Sequence, residues 1–260
     1  MAEVIQLAKP EVKAEWQGGF VMTQSAHDML RSLQLVSTSS GGAITLIAAA
    51  PGTGKTEALW HFKNSVRPKA VFHTAVANED DTPWGAACHL MELLQIGVPN
   101  SRNLRSSRQQ IAEAIGVDGL LIIDEGQNLI HRNPRGGTDW ACLEWFRALS
   151  EDGCFSLAYC GDLALLEVSQ RLPQLWRRMR RRVILKSVAK ADVEALATWR
   201  GITDTKVIEA LYQVARRGGG LGDVDNIIAH ARLMSGGDQP QGDHVKAALE
   251  DLNLLHPGAQ

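Results

Sequence analysis

The sequence predicts an α/β protein, with a three-layer core built on a five-stranded parallel sheet and a small all-helical domain after it. Three observations predict this fold. A glycine-rich loop at residues 49–56 connects an apolar run to a helical pattern, and a second apolar run at residues 120–123 ends in two carboxylates. From residue 187 onward only helical periodicity is present. Strands that alternate with helices imply right-handed crossovers and therefore a parallel sheet.

The individual elements follow from local patterns. We predict a flexible N-terminal arm at 1–19, a core at 20–186 and a helical domain at 187–260. The first helix, 24–36, takes Thr23 or Ser25 as its N-cap. The other core elements are strands at 43–48, 69–75, 120–123, 154–160 and 183–185, and helices at 57–66, 83–96, 106–115 and 138–149. The second domain has helices at 191–200, 204–217, 223–234 and 243–252, and the glycines at 218–220 separate two of them.

Composition indicates an ordinary globular protein. A chain of 260 residues with 45% hydrophobic residues can bury a sizeable core. No apolar run approaches the ~20 residues needed to cross a bilayer, and the first ten residues lack a signal-peptide pattern. We therefore expect a cytoplasmic protein with no membrane partner. The four cysteines show no CxxC spacing and are predicted to be reduced core residues.

The loop at 49–56 has the pattern of a phosphate-binding site. Gly52 and Gly54 let the backbone wrap closely around an anion, since they carry no Cβ. Lys55 is predicted to reach the β- and γ-phosphates of a nucleotide, and Thr56 to ligate Mg²⁺. The predicted nucleotide-binding residues are Ala50, Pro51, Gly52, Thr53, Gly54, Lys55, Thr56 and Glu57. The position of the motif's first glycine is filled by Ala49 at the end of the strand.

Two carboxylates complete the predicted site. Asp124 and Glu125 follow the buried run at 120–123, where a parallel strand meets the ligand crevice. Asp124 is predicted to hold Mg²⁺ through its water shell. Glu125 is predicted to act as the general base that polarises the attacking water. The side chains for hydrolysis of a nucleotide, and not only for its binding, are therefore present.

This organisation resembles the AAA+ ATPases, whose forms of the P-loop and the Walker B motif are found at 51–56 and 124–125. The resemblance implies ATP and Mg²⁺ as ligands. It also places Asp162, which follows the fourth strand, at the sensor-1 position, although a simple turn aspartate explains the residue equally well. The arginine expected at the sensor-2 position is replaced by Gly222, which puts charge sensing by the helical domain in doubt.

An arginine cluster lies where AAA+ proteins place the arginine finger. Five of the six residues at 177–182 are arginines. A finger stabilises the charge that develops on the γ-phosphate of a neighbouring subunit, and a rigid guanidinium suits this task. Arg178 is the predicted finger and Arg177 the next choice, which implies a homo-oligomer. For most of the cluster a solvated basic face is the alternative.

Among AAA+ proteins, the chain resembles the target-selection proteins of DNA transposons, of the Mu B and TniB type. The segments at 20–26, 83–99 and 192–231 carry this resemblance, which extends over about residues 18 to 255. It implies an ATP-bound ring or helical filament that binds double-stranded DNA without sequence preference. Such an assembly would recruit a transposase, stimulate strand transfer and disassemble when ATP is hydrolysed.

Exposed arginines are the candidate DNA contacts, because backbone binding needs cations that face phosphates. Arg102 and Arg105 lie in a polar loop, with Arg108 nearby, and Arg132 and Arg135 lie in the loop after the Walker B motif. An ordinary polar loop is the alternative in both places.

Three other functions remain open on the sequence. The first is a helicase loader or plasmid-maintenance ATPase, and the second is a regulatory P-loop ATPase of a secretion or signalling complex that does not bind DNA. The third is a scaffold that binds ATP but hardly hydrolyses it.

Overall fold

The computed structural model describes residues 19–39, 41–132 and 137–254, and these residues form two compact units. One unit spans Met22–Ala189, and the other contains residues 19–21 and 190–254. The predicted core and helical domain differ from this division by a few residues. Nearly all of the predicted arm lies outside the described residues.

The first unit is built on a five-stranded parallel sheet, whose strands are β1 (Ile44–Ala49), β2 (Val71–Thr74), β3 (Leu120–Asp124), β6 (Ser156–Gly161) and β7 (Met179–Leu185). Their order in the sheet is β2-β3-β6-β1-β7. The three central strands, β3, β6 and β1, are buried along their whole length, as expected for strands covered by helices on both faces. The predicted fold class is therefore confirmed.

The last strand is longer than the sequence predicts. We predicted a strand at 183–185, but β7 begins at Met179 and includes Arg180, Arg181 and Arg182. The apolar run alone was too short to reveal it. Arginines are tolerated here because β7 is an edge strand of the sheet, where side chains alternate towards solvent.

Helices cover both faces of the sheet in this unit. They are α1 (Gln24–Ser37), α2 (Lys55–His61), α3 (Pro83–Leu93), α4 (Leu104–Ile115), α5 (Ala141–Gly153), α6 (Leu163–Gln170) and α7 (Pro173–Arg178). A π-turn, Phe62–Val66, continues α2. The Thr23 side chain caps α1 by accepting from the Ala26 amide at 3.1 Å, as one of the two predicted caps.

The helix predicted at 138–149 begins later. Residues Thr138–Asp139 form a short strand, β5, that pairs antiparallel with β4 (His131–Arg132). The Asp139 carboxylate accepts a hydrogen bond from the Ala141 amide at 2.8 Å, and α5 starts there. Strand pairing and the side-chain turn at Asp139 therefore override the helical pattern at this boundary. The two short helices α6 and α7 were not predicted.

The second unit is helical throughout its regular elements. It contains α8 (Lys190–Trp199), α9 (Thr205–Val214), α10 (Gly220–Met234) and α11 (Gly242–Asp251). A π-turn follows α9, and Gly218 and Gly220 adopt φ values of 146° and 67°. Only glycine takes such values readily, which explains the glycine run between the two helices.

Two further expectations can be compared with the described residues. None of their helices is both long and apolar enough to span a membrane. All four cysteines are free, and Cys142 and Cys160 are buried, but Cys154 is exposed at the end of α5. The prediction that all four cysteines are core residues is therefore wrong for Cys154, which ends its helix in a left-handed conformation.

A buried acidic side chain organises the loop between β2 and α3. The Asp80 carboxylate is fully buried and contacts the Val76 amide at 2.7 Å, His89 Nδ1 at 2.9 Å and His73 Nε2 at 3.2 Å. Burial acts to raise the pKa of this carboxyl, but the close contact with His73 and the hydrogen bonds from the Val76 amide and His89 outweigh it. The pKa of Asp80 is therefore lowered.

We predict that Asp80→Asn lowers the free energy of unfolding by about 2–4 kcal/mol at pH 7, because the buried His73 and the partly buried His89 lose their carboxylate partner. A lowered carboxyl pKa stabilises the fold above the ordinary aspartate range, and this contribution is lost as the pH falls through the lowered value. The penalty should therefore shrink at about pH 3. Urea unfolding at both pH values measures it, with the exposed Asp118→Asn as control. An Asp80→Asn protein as stable as wild type at pH 7 would contradict the prediction.

Candidate nucleotide site

The P-loop connects the buried end of β1 to the start of α2. Gly52 and Gly54 have φ values of 72° and 80°, in the left-handed region that favours glycine. The buried Thr53 hydroxyl donates to the Ala50 carbonyl oxygen at 2.9 Å and closes the loop on itself. Ala49, which fills the position of the motif's first glycine, is the last residue of β1 and is buried. The loop is thus held by the Thr53 bond within it and by a bond from the Ala50 amide to the Leu185 carbonyl oxygen at 2.8 Å.

Lys55 joins the P-loop to both carboxylates at the end of β3. Its Nζ donates to Asp124 Oδ1 at 2.6 Å and to Glu125 Oε1 at 3.1 Å, and the side chain is 11% exposed. Burial is the largest single influence and acts to lower the pKa of Lys55, but the charges and hydrogen bonds of the two carboxylates together outweigh it. The pKa of Lys55 is therefore raised, and the side chain is a cation at neutral pH.

Thr56 and Asp124 provide adjacent oxygen atoms. The Thr56 hydroxyl donates to Asp124 Oδ2 at 2.9 Å, and the carboxylate of Asp124 is almost fully buried. Hydroxyl and carboxylate oxygens are the ligands that Mg²⁺ prefers, so the two predicted metal ligands fit this ion. Within the described residues, no cluster of three or more acidic, histidine or cysteine side chains forms a separate metal site.

Glu125 occupies an unusual backbone conformation. Its φ of 53° is left-handed, which non-glycine residues adopt rarely and which often marks a functional position. Its side chain is 40% exposed, compared with 2% for Asp124. The exposed carboxylate is therefore the one of the pair that water can reach.

Gln127 also belongs to this site, and the sequence analysis missed it. Its Nε2 donates to Glu125 Oε2 at 2.5 Å, and its Oε1 accepts from the Asp162 amide at 3.0 Å. Only its position two residues after Glu125 could have indicated this role. The turn that brings the side chain back to Glu125 is a 3-10 helix, Gly126–Leu129.

Asp162 lies next to these residues at the end of β6 and caps α6. Its Oδ1 accepts from the Ala164 and Leu165 amides at 2.8 and 3.3 Å. This is the turn role that the sequence left open for Asp162. Its role as sensor 1 stays a prediction.

The arginine cluster divides among several partners. Arg178 ends α7, is 53% exposed and forms an ion pair with Glu151 of α5. Arg177 is exposed beside it. Arg181 pairs with Asp28 of α1 at 3.4 Å, and the Arg182 guanidinium lies 4.1 Å from the centre of the Trp176 ring.

The candidate DNA contacts lie in two regions of the first unit. Arg102 is exposed just before α4, and Arg105, which the sequence analysis placed in a loop, is exposed in the first turn of α4 because the helix begins at Leu104. Arg108 pairs with Asp152 at 2.6 Å. The backbone of Arg132 forms part of β4, while Arg135 lies outside the described residues.

Comparison with known proteins identifies related chains. The family model of the AAA domain matches residues 38–168, and that of the Mu B transposition protein, C terminal, matches residues 177–252. The ATP-dependent target DNA activator B of Escherichia phage Mu is 25% identical over 248 residues, which cover 90% of this chain and 74% of that protein. The Mu-like prophage FluMu DNA transposition protein B of Haemophilus influenzae is 23% identical over 215 residues, which cover 78% and 69%.

A solved structure supports the same fold. Cdc6p from Pyrobaculum aerophilum matches with a TM-score of 0.66 and 14% identity, over 94% of this chain and 71% of that chain. The predicted resemblance to AAA+ proteins of the Mu B type is confirmed by the two family models. Because the AAA domain model spans just over half of the chain, this chain belongs to the AAA family of P-loop ATPases, with a C-terminal segment that matches the Mu B transposition proteins.

Proposed function

We propose that this protein is an ATP-dependent DNA-binding ATPase that oligomerises on double-stranded DNA and recruits and stimulates a transposase. In this proposal, ATP hydrolysis drives disassembly of the oligomer. One observation carries the ATPase part. Lys55, Thr56, Asp124 and Glu125 meet at the carboxyl ends of β1 and β3, where Lys55 donates to both carboxylates and Thr56 donates to Asp124. Ligands of open α/β sheets bind at this edge.

The proposed reaction assigns one task to each side chain. Lys55 binds the β- and γ-phosphates of ATP. To do so, its ammonium leaves the Glu125 carboxylate and contacts phosphate oxygens instead. Glu125 accepts a proton from water as the water oxygen attacks the γ-phosphorus. The bond to the β–γ bridging oxygen breaks, and ADP and phosphate leave. Thr56 and Asp124 would hold Mg²⁺, which neutralises phosphate charge when bound.

The arrangement of Arg178 supports an oligomeric enzyme. Its guanidinium lies at the surface, at the end of α7, and pairs with the partly exposed Glu151. Arg147 contacts the same carboxylate, at 2.6 Å, so Glu151 keeps a cationic partner when Arg178 leaves it. Exposed ion pairs of this kind exchange at little cost. We propose that Arg178 serves as the finger for a neighbouring subunit and that Arg177 remains a surface cation.

The DNA part of the proposal rests on the names of the relatives and on exposed cations. Two relatives are named for target DNA activation and DNA transposition. Arg102 and Arg105 are exposed and close together in the chain, as contacts to a phosphate backbone require. Because the net charge of the chain is −2, attraction to DNA must come from local groups of exposed cations such as these.

Binding to random-sequence duplex DNA tests this proposal. We expect binding in ATP but not in ADP or without nucleotide, with an affinity that falls steeply as salt increases. Arg102→Ala with Arg105→Ala should weaken binding and reduce the salt slope by about 1–2. Arg31→Ala is the control, because it removes an exposed arginine from a different helix, α1. Absence of DNA binding in every nucleotide state would exclude the DNA function and favour an ATPase that acts on a protein partner.

A further inference from the structure

The turn after the Walker B carboxylates is attached to the strands on either side of it. On one side, Gln127 Oε1 accepts from the Asp162 amide, next to the end of β6, at 3.0 Å. On the other side, Asn128 Nδ2 donates to the carbonyl oxygen of Ala75, just beyond β2, at 2.8 Å. The two amide side chains therefore fix one short turn, and of these two side chains that of Gln127 donates to the Glu125 carboxylate, while that of Asn128 does not.

The packing around Gln127 requires a small residue at the end of β6. A Cβ placed on Gly161 would lie 2.6 Å from Gln127 Oε1 and 2.9 Å from Leu165 Cδ2. Contacts this short do not occur, so any larger residue at 161 would displace the Gln127 amide or the backbone beneath it. Gly161 thus provides the space that lets Gln127 reach the Asp162 amide.

The two oxygens of the Glu125 carboxylate have different partners. Oε1 accepts from Lys55 and Oε2 accepts from Gln127. The proposed reaction moves Lys55 onto phosphate, which frees Oε1 to accept a proton. The Gln127 amide on Oε2 then remains to hold the partly exposed carboxylate in one orientation.

We propose that Gln127 is a positioning residue that orients Glu125 for proton abstraction and ties it to the end of β6 at Asp162. The proposal rests on the ATPase activity proposed above. An amide suits this role because it donates to the carboxylate at one end and accepts from a backbone amide at the other. A fixed base contributes to the rate through the geometry of attack and has little effect on binding of ATP.

Steady-state ATP hydrolysis by the full chain, under conditions that give wild-type turnover, tests the inference with five variants. Gln127→Ala removes both bonds and should lower kcat by about ten- to 100-fold, with KM changed less than about threefold. Gln127→Glu keeps an acceptor for the Asp162 amide but replaces the donor to Glu125 by a second carboxylate. It should lower kcat at least as much while keeping more of the wild-type Tm than Gln127→Ala does.

Asn128→Ala is the matched control, because it removes an amide from the same turn without touching Glu125. It should lower Tm with kcat within about twofold of wild type. Gln127→Ala combined with Glu125→Gln should be no slower than Glu125→Gln alone, since the orientation of a missing base has no effect. Gln127→Glu also keeps the test valid should Gln127→Ala fail to fold.

The outcomes separate this inference from the proposed function. Loss of activity in Glu125→Gln, with kcat within twofold of wild type in both Gln127 variants, overturns the inference and leaves the ATPase intact. Equal losses of kcat in Gln127→Ala and Asn128→Ala overturn it too, because the turn would then act only through stability. Wild-type protein no more active than Glu125→Gln would overturn the proposed ATPase mechanism and this inference with it.

Discussion

Glu125→Gln is expected to lower kcat for ATP hydrolysis by about 100-fold or more while leaving ATP binding intact. The amide keeps the size of the carboxylate and retains one acceptor oxygen for its two donor neighbours, Lys55 and Gln127, but it cannot accept the proton of the attacking water. If hydrolysis drives disassembly, the same variant should form longer-lived complexes with DNA in ATP. Phosphate release and the rate of DNA dissociation measure the two effects.

The control for this variant is Glu92→Gln, the same chemical change at an exposed position of α3. It should leave turnover and DNA complexes unchanged. Unaltered turnover in Glu125→Gln would remove Glu125 as the base. A wild-type protein that binds ATP but turns over no faster than the variant would instead identify a nucleotide-gated scaffold.

Lys55→Ala is expected to weaken ATP binding by at least about tenfold, and to remove ATP-dependent DNA binding at ATP concentrations that saturate the wild type. The ammonium is the cation that joins the P-loop to the carboxylates at the end of β3, at 2.6 and 3.1 Å. Its removal costs the charged contact to phosphate and leaves two neighbouring carboxylates that repel the nucleotide. Titration with a fluorescent ATP analogue measures the affinity.

Lys63→Ala provides the comparison, because Lys63 lies in the π-turn that continues α2 and its ammonium donates to the Pro68 carbonyl oxygen. Its ATP affinity should stay within about twofold of wild type. ATP binding by Lys55→Ala as tight as that of the wild type would contradict the nucleotide site at this loop.

The sheet and the P-loop could be predicted from the sequence because their signals lie in consecutive residues. Buried runs such as 120–123 and the glycines of the P-loop carry their information in a few consecutive residues. Boundaries decided by contacts with distant residues were predicted less well. The start of β7 depends on pairing with β1, and the start of α5 depends on the β4–β5 pair and on the hydrogen bond from the Ala141 amide to Asp139.

The sequence by itself determined that this chain has a P-loop, a Walker B pair and an arginine cluster, because each is a short motif with its own chemistry. Only the tertiary structure decided how these groups share partners. It brings Lys55 to Asp124 across 69 residues of chain, pairs Arg178 with Glu151, and folds Gln127 back between Glu125 and Asp162. Such contacts depend on strand order and on the space left by Gly161, and neither property is encoded in neighbouring residues.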